Sequence, residues 1–360
     1  MGNLLLCLVL YVQVLVGTVA AAGARPPAMY VFGSSILDVG NNNYLPGGAV
    51  GRANRRYNGI DFPASIPTGR FSNGYNIADY VAKNMGFACS PPAYLSLAPD
   101  SSGPLVHTAV AYGISYASGG AGILDSTNTG NTIPLSKQVQ YFGATKAKMV
   151  AAIGPCAVNA RLSRAIFVIA IGNNDMSVSA AAERAQNKSA TDRRRDVATL
   201  YVNLVSNYSS AITVQCTARV LSPMGECWHS LNQLAAGFND ALRSRLAGLA
   251  PRLPGLVYSL ADLLGFTRDT LADPWASGYT DIVGACCGSG RLSGEAECFP
   301  NSTLCADRDQ HVFWDRVHFS QRTAFLIAQA FYDGPAKYTT PINFMQLAQS
   351  SYLTTKALVI

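Results

Sequence analysis

Arg164-Ala165-Ile166-Phe167-Val168-Ile169-Ala170-Ile171, stopped by Gly172, is the most informative stretch of this chain. It is apolar without alternation. A strand of that kind needs cover on both faces, the situation of a strand inside a parallel sheet. The same pattern recurs in shorter form at Met29 to Phe32, stopped by Gly33, at Ala109 to Tyr116, at Arg219 to Leu221 and at Leu256 to Leu260. Between these runs the apolar spacing changes to that of helices. Ile77, Tyr80, Val81 and Met85 mark a helix over Tyr75 to Met85, closed by Gly86. Leu135 to Ile153, Arg193 to Val214 and Leu231 to Leu249 follow, with Thr323 to Tyr332 as a final helix. Strands alternating with helices predict an α/β fold, a parallel sheet covered on both faces. Neither an internal repeat nor a boundary linker interrupts it, so residues 25–360 read as one domain. The long Gly-, Asn- and Pro-rich loops around 40–75 and 278–310 are where such a fold carries its site.

The bulk numbers agree with a large core. Of 360 residues, 49% are hydrophobic and 13% charged, which excludes a disordered chain. The net charge of +6 is mild for this length. Its densest cluster, Arg193-Arg194-Arg195, is flanked by Asp192 and Asp196 and reads as a solvated helix start. No nucleic-acid partner is expected. The first 24 residues carry no charged side chain. Leu4 to Val19 is an apolar run short for a membrane span, and Ala20-Ala21-Ala22-Gly23-Ala24 supplies small residues for cleavage. Residues 1–24 therefore read as a secretory signal peptide, with no transmembrane segment after cleavage. Nine cysteines fit that reading. Cys7 leaves with the leader, and Cys89, Cys156, Cys216, Cys227, Cys286, Cys287, Cys298 and Cys305 remain, an even number expected to be largely oxidised. A zinc site is the rival for the last four, but no CxxC pair occurs among them. Sequons begin at Asn187, Asn207 and Asn301, as a secreted glycoprotein allows.

Four segments carry side chains suited to acyl-transfer chemistry. Ser35 stands just beyond the first strand, where Gly33 lets the chain turn and the sheet's carboxyl edge presents a hydroxyl. A serine nucleophile needs a base, and the base needs a group that fixes its tautomer. Asp315 and His318, three residues apart in Phe313-Trp314-Asp315-Arg316-Val317-His318, form such a pair; His107, His229 and His311 have no carboxylate at that spacing. Donors for a developing oxyanion come from two turns. One is the glycine-rich Gly113 to Gly122, with Gly119 and Gly120 at its centre. The other is Gly172-Asn173-Asn174-Asp175, where the Asn174 amide follows the strongest strand.

In this order the blocks resemble the plant-type GDSL esterase/lipase family of the SGNH-hydrolase superfamily, over essentially the whole mature chain. The matching residues are Phe32-Gly33-Ser34-Ser35, Asp38-Val39-Gly40-Asn41-Asn42-Asn43, Ile60-Asp61-Phe62-Pro63 and Pro67 to Gly74. The Ala-Ser-Gly-Gly-Ala-Gly, Gly-x-Asn-Asp and Phe-Trp-Asp-x-x-His blocks follow, with Phe238-Asn239 and Cys286-Cys287-Gly288. The resemblance implies a three-layer α/β/α, flavodoxin-like fold and secreted, metal-free and cofactor-free hydrolysis of acyl esters, small or polymer-linked. Carried over residue by residue, Ser35 is the nucleophile and Asp315–His318 complete the triad. Gly119 or Gly120, with Asn174 and the Ser35 N–H, forms the oxyanion hole. The sequence departs from the pattern at four points: Ser34 replaces the Asp before the nucleophile, Phe319 and Ser320 replace the Pro and Thr after the histidine, and Glu226 precedes Cys227. Acyl transfer to another alcohol, or a wall- or lipid-binding relative with impaired chemistry, stays open beside hydrolysis. The α/β-hydrolase alternative lacks its Gly-x-Ser-x-Gly.

Overall fold

The computed structural model describes residues 25–97, 104–186, 190–207, 229–253, 255–350 and 355–360. The expected leader, Cys216, Cys227, Glu226, the strand at Arg219 to Leu221 and the first sequon lie outside them.

Six strands form the central sheet: β1 (Met29–Gly33), β2 (Gly113–Ser115), β3 (Ile166–Ala170), β4 (Leu256–Ala261), β9 (Thr339–Thr340) and β10 (Thr355–Val359). Their order is β2-β1-β3-β10-β4-β9, and every neighbouring pair is parallel except β4–β9. The period-two geometry of a strand sorts their side chains into two cores. Tyr30 and Phe32 enter one hydrophobic cluster, with Ile114, Met149, Phe238 and Leu242. Met29 and Val31 enter the other, with Val168, Val81, Ile327 and Phe331. Helices Leu135–Ile153 and His229–Leu249 cover the first face; Ile77–Asn84 and Gln321–Tyr332 cover the second. The result is the three-layer α/β/α arrangement, with the unbroken apolar run of β3 at its centre.

Three expectations change. The run Ala109 to Tyr116 is mostly not strand. Leu105–Ala111 is a helix, and only Gly113–Ser115 pairs with β1. Gly113 marks the break. Its φ is +97°, and a Cβ there would meet the Met29 carbonyl oxygen. Thr323 to Tyr332 is a helix, but not the last element, since Phe344–Gln349 and β10 follow it. β10 runs between β3 and β4, so the chain's final residues form a central strand; Leu358 and Ile360 are fully buried. Third, Cys89 and Cys156 carry free thiols, the first half-buried and the second exposed at the start of a helix. No disulfide partner meets either among the described residues.

A small stapled unit leads to the last site segment. β5 (Asp281–Ala285) pairs in parallel with β8 (His311–Phe313), and β6 (Cys287–Gly288) pairs antiparallel with β7 (Thr303–Leu304). Disulfides Cys286–Cys305 and Cys287–Cys298 tie the intervening loop. The Cys286 and Cys287 N–H groups donate to the carbonyls of Phe313 and Trp314, so the staple is anchored to the residues just before Asp315.

Candidate active site

The turn after β1 is held by main-chain bonds. Ser34 N–H donates to the Ala170 carbonyl of β3, and the Ser34 carbonyl accepts from Leu37 and Asp38. A Cβ on Gly33 would stand 2.5 Å from the Ala170 oxygen, so only glycine allows β1 this close to the end of β3. Buried Gln138 clamps Gly33 from the helix side, accepting from its N–H at 2.8 Å and donating to its carbonyl at 2.9 Å. Ser34 is fully buried, and its Oγ donates to Asn173 Oδ1 at 3.0 Å. The small hydroxyl is thus partnered inside the turn that carries Ser35.

The Asp38-to-Asn43 run builds the adjoining wall. Asp38 Oδ1 accepts from the N–H groups of Gly40 and Asn41, at 2.7 and 2.8 Å. Its Oδ2 accepts from Gly119 N–H at 2.9 Å. Asn41 Nδ2 donates to the carbonyls of Ser115 and Ala117, and Asn42 Nδ2 to that of Gly119. Ser118 Oγ donates to Asn42 Oδ1. Burial raises Asp38 to about 6, against the pull of the N–H groups from Gly40, Gly119, Asn41 and Asn42. Gly119 has no room for a side chain, since a Cβ would stand 2.6 Å from the Phe71 ring. Because Gly119 N–H is spent on Asp38, the two glycines differ. The N–H groups of Gly120 and Ser35 have no acceptor among the described residues. Of the pair left open by the sequence, Gly120 is the one with a free donor.

Helix Asn173–Gln186 begins directly after β3 and brings Asn174 to the same edge. Asn174 Nδ2 gives one proton to the Ala121 carbonyl at 2.8 Å, leaving its second proton for the crevice. The next residue, Asp175, is buried and holds the far end of the glycine loop. It accepts from the N–H groups of Ile123 and Leu124 and from Thr127 Oγ1. Motif agreement alone assigns no role to Asp38, Asn41, Asn42 or Asp175. Their signal was present as the side chains most able to bond main chain at short range.

Asp315 and His318 share one tight turn, closed by Trp314 N–H donating to the His318 carbonyl. Asp315 Oδ1 accepts from the N–H groups of Val317 and His318, at 2.9 and 2.8 Å. His318 Nδ1 lies 2.9 and 2.8 Å from the two carboxylate oxygens. Burial alone would raise the Asp315 carboxyl. The facing imidazole and the N–H donors outweigh it and hold the group below the ordinary carboxylate range. The Phe71 ring lies against the imidazole, centroids 4.8 Å apart. Nδ1 faces Asp315, so Nε2 is left for proton transfer. Among the other histidines, His311 does meet a carboxylate, its Nε2 lying 3.5 Å from Asp281 Oδ2 across the β5–β8 pair. That pair does not line the cavity that holds Ser35.

One cavity of about 410 Å³ is lined by Ser35, Gly119, Gly120, Asn174, Asp315 and His318 together. Four segments, distant in sequence, thus converge at the carboxyl edge of β1, β2 and β3. No hydrogen bond joins Ser35 Oγ to His318, although both face this cavity. Among the described residues no cluster of His, Cys, Asp or Glu is arranged to hold a metal ion.

Comparison with known proteins fits this geometry. The family model for GDSL-like lipase/acylhydrolase matches residues 29–331. Among curated proteins, one GDSL esterase/lipase of Arabidopsis thaliana is 34% identical over 93% of both chains. The GDSL esterase/lipase LTL1 of the same plant is 32% identical over 91% of this chain and 92% of its own. GDSL esterase/lipase 7, also from Arabidopsis thaliana, is 32% identical over 97% of this chain and all of its own. The chain belongs to the GDSL-like lipase/acylhydrolase family, hydrolases that act on ester bonds.

Proposed function

We propose that this protein is a secreted serine esterase in which residues 1–24 are a leader and 25–360 one catalytic domain. Ser35 Oγ attacks the acyl carbonyl while His318 Nε2 takes its proton. Asp315, ionised and bonded to Nδ1, keeps the imidazole in the tautomer that can accept there. Charge gathers on the former carbonyl oxygen, where the N–H groups of Ser35 and Gly120 and the Asn174 amide donate. Collapse of the tetrahedral species expels the alcohol, which takes the proton back from His318, and leaves an acyl-Ser35 ester. Water, deprotonated by His318, then releases the acid and restores the hydroxyl.

The observation that supports this reading most is the convergence of all six residues on one cavity, with His318 already seated on Asp315. Export is supported by the uncharged apolar leader and by two disulfides in the loop before the catalytic turn. The test is Ser35→Ala. Its side chain is near the surface of the cavity, so folding should be retained while ester turnover is lost. A fluorophosphonate probe should label the wild type and not the variant. Equal labelling of both would refute Ser35 as nucleophile.

A further inference from the structure

Resting on the serine-esterase reading, we propose that Arg55 and Glu297 form a side-chain gate on the rim of the Ser35 cavity, which slows the entry of bulky molecules to the nucleophile. Both side chains line that cavity. They come from loops 242 residues apart in the chain, and Arg55 Nη2 lies 2.7 Å from Glu297 Oε2. The guanidinium also stacks on the Phe299 ring, 4.3 Å from its centroid. The side chains of Arg55 and Glu297 are 26% and 54% exposed, whereas Ser35 is buried. The bridge therefore stands at the rim of the cavity and the nucleophile in its floor.

The two arms of the bridge share one root. Shortly after Arg55 in the chain, buried Asn58 accepts from Trp314 Nε1 at 2.8 Å. Next to Glu297, Cys298 is joined to Cys287, whose N–H donates to the Trp314 carbonyl. Trp314 is fully buried and directly precedes Asp315. A ring thus closes along one side of the mouth, from Trp314 through Asn58, Arg55, Glu297, Cys298 and Cys287 back to Trp314. Every link in it is buried or covalent except the ion pair. An exposed pair of this kind, helped by one cation–π contact, favours its closed form by only about threefold to thirtyfold. The pair therefore parts first, by rotation of two side chains, while the buried roots keep Asp315 and His318 in place. A molecule small enough to pass the closed gate reacts at a rate the gate does not set. One that needs the gate open reacts in proportion to the open fraction.

The test uses the secreted full-length protein and two reagents for Ser35, diisopropyl fluorophosphate and a fluorophosphonate carrying a bulky rhodamine dye. The ratio of their second-order inactivation rates, bulky over small, reads the gate. Arg55→Ala and Glu297→Gln should each raise that ratio by about threefold or more. Arg55→Glu combined with Glu297→Arg should bring it back at least halfway, and Arg55→Glu alone should not. Raising NaCl from about 0.05 to about 1 M screens exposed pairs, so the wild-type ratio should rise and that of Arg55→Ala should stay level. Equal ratios in the wild type and both single variants would overturn the inference. So would a wild-type ratio indifferent to salt, or a raised ratio that the charge swap fails to lower, the mark of a purely structural bridge. Failure of the parent reading looks different: neither reagent labels Ser35 in the wild type or any variant, and the inference falls with it.

Discussion

Asp38→Asn should leave stability near pH 7 almost unchanged while lowering kcat about a hundredfold. The two effects have separate origins. Asp38 is fully buried, and its carboxyl is raised to about 6 from 3.8, a shift worth about 3 kcal/mol. A folded-state pKa above the unfolded one means that the neutral form is favoured by the fold. The stabilising contribution is therefore complete below the ordinary carboxylate value and is lost as pH rises through about 6. An asparagine carries no such penalty, so at neutral pH it recovers up to about 3 kcal/mol. Against that, Oδ1 of the new amide can still accept from Gly40 and Asn41, but Nδ2 must then face Gly119 N–H, donor against donor. The opposite rotamer would set Nδ2 against two N–H groups and is worse. One buried N–H left unmade costs about 1–3 kcal/mol, which nearly cancels the gain. Catalysis has no such compensation. With its N–H released, the Ser118–Gly119 peptide loses its anchor, and the Gly119–Gly120 peptide that carries Gly120 N–H is left held by Asn42 Nδ2 on the Gly119 carbonyl alone; a Gly120 N–H that loses its aim costs about 10²–10³ in kcat. KM should move little, because the donor acts on charge that develops after binding. Thermal unfolding from pH 4 to 8 and steady-state kinetics on p-nitrophenyl acetate read both quantities from one preparation. Wild type should lose stability between pH 4 and 7 relative to the variant. A folded variant with wild-type kcat would refute the aiming role of Asp38. Parallel stability profiles would refute the buried charge.

Three further outcomes are expected. Asn174→Ala should cut kcat by about a hundredfold with little change in KM; a variant that is less stable but fully active would limit Asn174 to its bond with Ala121. Replacing Cys287 and Cys298 together by Ser opens a loop with a sequence separation of 11 residues, and should cost about 3 kcal/mol in non-reducing urea unfolding. An unchanged midpoint would show the bridge to be idle. Leu358→Ala, at a fully buried position of the central strand β10, should cost about 2–5 kcal/mol. A loss under 1 kcal/mol would argue that the chain's end does not fill that slot.

The outline of the fold was legible because the sheet is parallel and buried. A strand covered on both faces must be apolar throughout, and Ile166–Ala170 and Met29–Gly33 both obey this. β2 was misread in its extent because Leu105–Ala111 is apolar too, and short runs do not distinguish buried helix from strand. β10 was missed for a different reason. Its Ala357-Leu358-Val359-Ile360 is a fair strand signal, but placing it between β3 and β4 requires pairing across nearly 200 residues for β3 and about 100 for β4. Nothing local encodes a neighbour that distant.

The site shows the same division more sharply. Ser35, Asn174, Asp315 and His318 could be nominated from residue type, because few side chains can act as nucleophile, amide donor or oriented base. What positions them could not be read in that way. The Asp38-to-Asn43 run is recognisable as a motif, but its work lies in bonds to main-chain atoms at 115, 117 and 119, and main-chain atoms are the same in every sequence. The choice between Gly119 and Gly120 illustrates this. Both are glycine, adjacent and equally able to donate, and no residue-level property separates them. They differ only because one N–H lies 2.9 Å from a carboxylate contributed 81 residues earlier, and the other does not. The identities of the proposed catalytic side chains are therefore local information, whereas the aim of the donors is a property of the folded chain. Substitutions at Asp38, Asn41 or Asn42 should lower turnover while leaving every side chain proposed for catalysis in the sequence.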